Sequence, residues 1–141
     1  MAPKKAFIEH LRKVPLFAGC TNRELGRIAK SGDALLMTAG TLIAEQGQTG
    51  REAFVVLEGT VTVKRNGRKV AGFGPGTIVG ELSLLDHGPR TATVVCETDC
   101  EVFVISQRHF LAVIDEIPAL AHKLLASLAG RIRDLDRQYY G

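Results

Sequence analysis

One stretch of this 141-residue chain carries most of its chemical potential: Gly80-Glu81-Leu82-Ser83-Leu84-Leu85, followed by Gly88-Pro89-Arg90-Thr91-Ala92. A glycine and a carboxylate open a short apolar helix, and an arginine follows ten residues after the glycine. Backbone N–H groups at a helix start attract an anion. An arginine presents a planar fork that fits phosphate oxygens two at a time. The carboxylate beside them would repel a phosphate, but it can accept hydrogen bonds from a hydroxyl. Together these residues ask for a ligand with one phosphate and a neighbouring free hydroxyl, such as a ribose 3′,5′-cyclic phosphate.

The stretch resembles the phosphate-binding cassette of the cyclic-nucleotide-binding domains of catabolite activators, cyclic-nucleotide-dependent kinases and gated channels. Its pattern is Gly-Glu-aliphatic-small-Leu, a short loop, then Pro-Arg-small-Ala. Gly80, Glu81, Leu82, Ser83, Leu84, Pro89, Arg90, Thr91 and Ala92 all fit it. The resemblance extends over nearly the whole chain. It implies a sensor that performs no catalysis, binds cAMP or cGMP as a ligand, and needs no cofactor or metal.

Each candidate has a plainer alternative. Arg90 reads as the phosphate clamp, against a surface arginine at a strand start. Glu81 reads as the partner of the ribose 2′-hydroxyl, against a carboxylate placed for the helix dipole alone. Gly80 and the amides of Leu82 and Ser83 read as phosphate donors, since close backbone approach to an anion favours glycine. Thr91 is expected to bond the phosphate or reach the base. In kinases of the resembled family a threonine here goes with cGMP and an alanine with cAMP, while other members combine Thr or Ser with cAMP. Val79 and Val70 are candidate walls for sugar and base, with ordinary barrel core as the alternative. His87, beside Asp86, reads as a solvated loop histidine.

These residues need a scaffold to position them. Residues 5 to 13 read as a helix, with Phe7, Ile8 and Leu11 at helical spacing and Pro15 as its stop. Thr21 and Glu24 form a capping box for a second helix, ended by Gly32. From Ala34 to Ser106 short β-rich runs alternate with glycines, and Asn66-Gly67 is a strong hairpin signal. Such spacing argues for a sandwich or a jelly-roll barrel, and the resemblance implies the latter, a double-stranded β-helix. A short helix inside this β region has no architectural purpose, which marks it as a ligand site.

After Ser106 the pattern turns helical. Gln107 to Ile114 carries Phe110, Leu111 and Ile114 on one face, and Pro118 separates it from a longer helix. There Ala121, Leu125, Leu128, Ile132 and Leu135 repeat in steps of four and three. The stripe is either a homodimer seam or a face packed on its own barrel. The resemblance gives this region the dimer seam or a lid, with an aromatic side chain over the base for which Tyr139-Tyr140 are candidates. A frayed terminus is the plainer reading of that pair.

One domain over 1–141 is expected: N-terminal helices over 1–32, a β-roll over 33–106 with the cassette at 80–92, and C-terminal helices over 107–138. The fold class is mainly β with flanking helices. Apolar residues make up 45% and charged residues 23%, ordinary for a soluble globular protein. No apolar run reaches the length of a membrane span, and Met1-Ala2-Pro3-Lys4-Lys5 leads into no signal-peptide stretch, so a cytoplasmic protein is expected. A net charge of +3, mixed in sign along the chain, does not argue for nucleic acid. Chain end at Gly141 leaves no room for the helix-turn-helix of the catabolite activators, so direct DNA binding is not expected and an unknown effector protein is. Cys20, Cys96 and Cys100 lack metal-ligand spacing and read as reduced thiols. Two alternatives remain: a degenerate fold that serves as a ligand-independent interaction module, or the sensor fragment of a larger regulator, kinase or channel.

Overall fold

A computed structural model describes residues 5–140, apart from the side chains of Ala6, Leu82, Tyr139 and Tyr140. The basic start at residues 1–4 and the rings of Tyr139 and Tyr140, candidates either for the base or for a frayed terminus, therefore lie outside the described residues. Two antiparallel four-stranded sheets form the roll. One has the order β1 (Gly32–Met37), β8 (Cys100–Ser106), β3 (Glu52–Glu58), β6 (Ile78–Val79). The other has the order β2 (Leu42–Ala44), β7 (Thr93–Cys96), β4 (Val61–Arg65), β5 (Arg68–Phe73). The chain is mainly β with helices α1 (Lys5–Arg12), α2 (Asn22–Ala29), α4 (Gln107–Glu116) and α5 (Pro118–Tyr140) at its flanks.

The central strand β3 is buried on both faces, and that divides the core in two. Ala53, Val55 and Leu57 face the helices, where Leu11, Phe17, Leu25, Ile28, Phe110 and Leu120 pack. Phe54 and Val56 face the inside of the roll, with Val61, Val63, Val79, Val94 and Val102. A strand buried on both faces reads as a continuous apolar run rather than an alternation, which is what Ala53 to Leu57 shows.

The local signals act as their chemistry predicts. Thr21 and Glu24 exchange both bonds of the capping box. Asn66 and Gly67 adopt φ of 54° and 79°, the pair of positive values a type I′ hairpin turn demands. Gly32 departs from expectation. Lys30 caps α2, and Gly32 instead opens β1, where an added Cβ would lie 2.2 Å from the Val104 carbonyl oxygen. The two-residue strand β6 is too short to carry a period and was not anticipated.

The stripe on α5 also resolves. The helix packs on the body through Leu120 and Leu124, with Ile117 just before it. Leu125, Ile132 and Leu135 are 63%, 60% and 53% exposed. The expected alternative, in which the same stripe lies against its own barrel, is therefore corrected: a neighbouring stripe does that packing.

Candidate functional site

Helix α3 (Glu81–Asp86) begins at Gly80, whose φ of 84° is left-handed. No side chain caps this helix start, so its first amides remain available as donors. Gly80, Glu81 and Ser83 line a cavity of about 230 Å³. Apolar walls come from Val63, Phe73, Val79 and Val94; the polar side comes from Glu81, Ser83, Arg90 and Thr91. Among the described residues, four polar or charged side chains are buried, and three of them (Glu81, Ser83 and Arg90) meet here. Burying charge is costly unless partners are supplied, so this concentration marks a site.

Arg90 is held by backbone. Its Nη1 donates to the Gly80 carbonyl at 2.9 Å and its Nη2 to the Glu52 carbonyl at 2.7 Å. Its guanidinium carbon lies 5.7 Å from the centre of the Phe54 ring, within cation–π reach. Desolvation pushes Arg90 below the usual arginine range, while the Glu52 and Glu81 carboxylates push it back up. Two glycines make room for it. A Cβ on Gly80 would sit 2.1 Å from Arg90 Nη1, and one on Gly50 would sit 2.6 Å from Arg90 Cζ and 2.8 Å from Ser83 Cβ. Gly50 was not singled out from the sequence, because a glycine in a polar loop reads as a turn; its neighbour is 40 residues away.

Glu81 is buried, and its Oε1 accepts from Arg131 of α5 at 3.0 Å. This pair ties the cassette to the last helix across fifty residues. Arg131 reads in sequence as a solvated charge flanking a seam, and no local signal exposes its partner. A second tie joins α3 to α4: the Gln107 amide donates to the Leu84 carbonyl at 3.0 Å and lies 2.7 Å from His87 Nδ1. His87 thus has a neighbour rather than only solvent.

The sequence candidates do not all converge. Gly80, Glu81, Ser83, Arg90, Thr91 and Val79 line one cavity, and the backbone of Leu82 lies in the first turn of α3. Val70 does not join them. It is 53% exposed, and the register slips between Val63 and Lys64 leave it as the extra residue of β5. The proposed wall at Val70 is therefore corrected: a bulge turns it outward, and Val63 and Phe73 form the wall instead. Arg65, not anticipated, lines the cavity and donates to the Thr91 carbonyl at 3.2 Å. Among the described residues no group of three acidic, histidine or cysteine side chains could hold a metal, and no helix is long and apolar enough to cross a membrane.

Comparison with known proteins agrees with this geometry. The sequence profile of the cyclic nucleotide-binding domain matches residues 36–116. The cyclic AMP receptor protein of Thermus thermophilus is 35% identical over 127 residues, covering 86% of this chain and 59% of that protein. The crystal structure of the catabolite activator protein from that organism superposes with a TM-score of 0.82 at 36% identity, over 88% of this chain and 61% of that one. The N-terminal domain of a transcriptional regulator from Streptomyces coelicolor gives a TM-score of 0.72 at 31% identity, covering 91% and 95%. A cAMP-dependent protein kinase regulatory subunit from Eremothecium gossypii is 33% identical over 87 residues, 62% of this chain and 19% of its own length. The chain thus spans less than two thirds of these full-length relatives, and its jelly roll with C-terminal helices is theirs. This chain belongs to the cyclic nucleotide-binding domain family.

Proposed function

We propose that this domain is a cyclic-nucleotide sensor that holds the ring phosphate between Arg90 and the first amides of α3. One observation carries the reading: a buried arginine, fixed by two backbone carbonyls, stands beside an uncapped helix start. Arg90 uses one N–H of each terminal nitrogen on those carbonyls, which leaves others for phosphate oxygens. Glu81 commits Oε1 to Arg131 and keeps a second oxygen for the ribose hydroxyl. The base lies toward Val63, Phe73 and Thr91.

Binding is relayed through the ties of α3 to its neighbours. A ligand that draws α3 inward acts on Gln107 of α4 and Arg131 of α5 together. It shifts those helices only by its difference in affinity for the two arrangements. The output is a protein contact in the cytoplasm, with the exposed stripe of α5 as a homodimer seam. Catalysis and direct DNA binding are not part of this reading.

Separate calorimetric titrations with cAMP and cGMP test it. Saturable binding of either, with one site per chain, supports it. Absence of binding by both would favour the degenerate interaction module. Thr91→Ala then sorts the base: if Thr91 reaches guanine, cGMP weakens more than cAMP, and equal loss makes it a phosphate contact.

A further inference from the structure

The β4–β5 hairpin carries a charge arrangement that works against its own folding. Strand register sets Lys64 directly opposite Lys69 and Arg65 opposite Arg68. Like charges placed opposite one another destabilise a strand pair. All four side chains are exposed, and among the described residues none joins an ion pair. The hairpin is nevertheless held firmly. Gln46 donates from Nε2 to Asn66 Oδ1 at 3.0 Å and accepts the Asn66 amide at 2.8 Å. These four cations gather within residues 64–69, a stretch with no acidic side chain.

Val70 adds a second feature. It is the residue the bulge turns outward, and it stands beside these cations, 53% exposed. We propose that the 64–70 hairpin docks on an anionic lipid surface, with Lys64, Arg68 and Lys69 against the headgroups and Val70 in the layer beneath. At about 3.4 Å per residue, all the cations lie within about one Debye length of the tip, where each basic residue adds to attraction by an anionic leaflet. Apolar burial and charge act together in such binding. A nucleic acid or an acidic protein segment would use the cations but give Val70 no role, and residues 64–70 include no aromatic side chain for stacking on bases.

Sedimentation of the full chain with phosphatidylcholine vesicles, with and without phosphatidylserine, tests this. Cosedimentation is expected only with the anionic vesicles and should fade as salt is raised. The triple variant Lys64→Gln, Arg68→Gln, Lys69→Gln, which leaves Arg65 in the cavity wall untouched, should lower partitioning about a hundredfold, at about fivefold per cation. That variant should also melt at the same or a higher temperature, because the opposed charges are relieved. Val70→Ser should weaken vesicle binding severalfold and leave the melting temperature unchanged. Equal partitioning into neutral and anionic vesicles, or an unchanged triple variant, overturns the proposal. So does binding to polyglutamate or duplex DNA as tight as to anionic vesicles with Val70→Ser silent, which would assign the tip to a protein or nucleic-acid partner.

Discussion

The cradle around Arg90 and the outer half of α5 are joined by one ion pair, yet they are built on opposite terms. In the cradle, side chains are buried and their partners are backbone atoms: Arg90 sits on the carbonyls of Gly80 and Glu52, with Gly50 and Gly80 giving it space. Backbone carbonyls in a paired strand and a tight turn do not change rotamer, so the Arg90 guanidinium is fixed without any ligand. Beyond Leu124, α5 presents Leu125, Ile132 and Leu135 to solvent, and Arg131 of that segment holds Glu81 with its own side chain half-exposed. One region rests on fixed backbone partners and the other on solvent-facing side chains, which suits the proposed sensor's need for a rigid reader and a movable reporter.

The largest test of the rigid half is Arg90→Ala. It should weaken cyclic nucleotide binding by at least about two orders of magnitude, in the range of 2–5 kcal/mol for removing one member of a buried charged pair. The far-UV spectrum should stay that of the wild type. Calorimetry gives the affinity, and a variant that binds as tightly as wild type removes the clamp.

Gly50→Ala asks whether the cradle's geometry matters apart from its charge. The new methyl would fall 2.6 Å from Arg90 Cζ, so the guanidinium or the loop must move, at a cost of about 1–3 kcal/mol for an overpacked site. Affinity should fall about tenfold or more and the melting temperature should drop, although no group that contacts the ligand has been changed. An unaltered affinity would show that the clamp tolerates displacement and that preorganisation is not what the glycine supplies.

The sequence made the cavity's polar residues legible and left their supports hidden, for a physical reason. Gly80, Glu81 and Arg90 lie within one local motif whose residue types state their chemistry. Gly50, Glu52 and Arg131 reach the site from 30 to 50 residues away, through a carbonyl, a missing Cβ and an exposed arginine, none of which differs in type from its surroundings. The roll was legible because β-branched runs, glycines and Asn66-Gly67 act locally. Val70 misled because a bulge inverted the alternation, and bulges have no reliable residue signature. On α5 the heptad-like steps were real, but two stripes overlap there. Burial separates Leu120 and Leu124 from Leu125 and Ile132; periodicity alone does not.

Leu128→Glu probes the movable half. In the dimer reading the wild type sediments as a dimer through Leu125, Leu128, Ile132 and Leu135, and the variant becomes a folded monomer that still binds nucleotide. Leu128 is half-buried while the other three are exposed, so the melting temperature of the variant separates loss of the dimer from loss of the fold. A monomeric wild type at micromolar concentration, with and without ligand, ends the dimer and leaves the stripe to another partner.

Arg131→Ala acts on the joint between the two regions, and its direct effect on affinity should be the smallest. The pair is half in solvent on the arginine side, where ion pairs contribute about 0.2–1 kcal/mol, so binding should change severalfold at most. Its consequence should fall on coupling instead. Glu81 is buried, and without Arg131 it would depend on the ligand hydroxyl for a partner, while α5 would lose its tie to α3. Ligand should then no longer alter hydrogen-exchange protection along α5, whereas in the wild type it does. Arg131→Lys should restore part of that response, because a single ammonium can reach one carboxylate oxygen but lacks the fork. If α5 responds to ligand equally in wild type and Arg131→Ala, the relay runs through Gln107 and α4 alone, and the two halves are joined by packing rather than by charge.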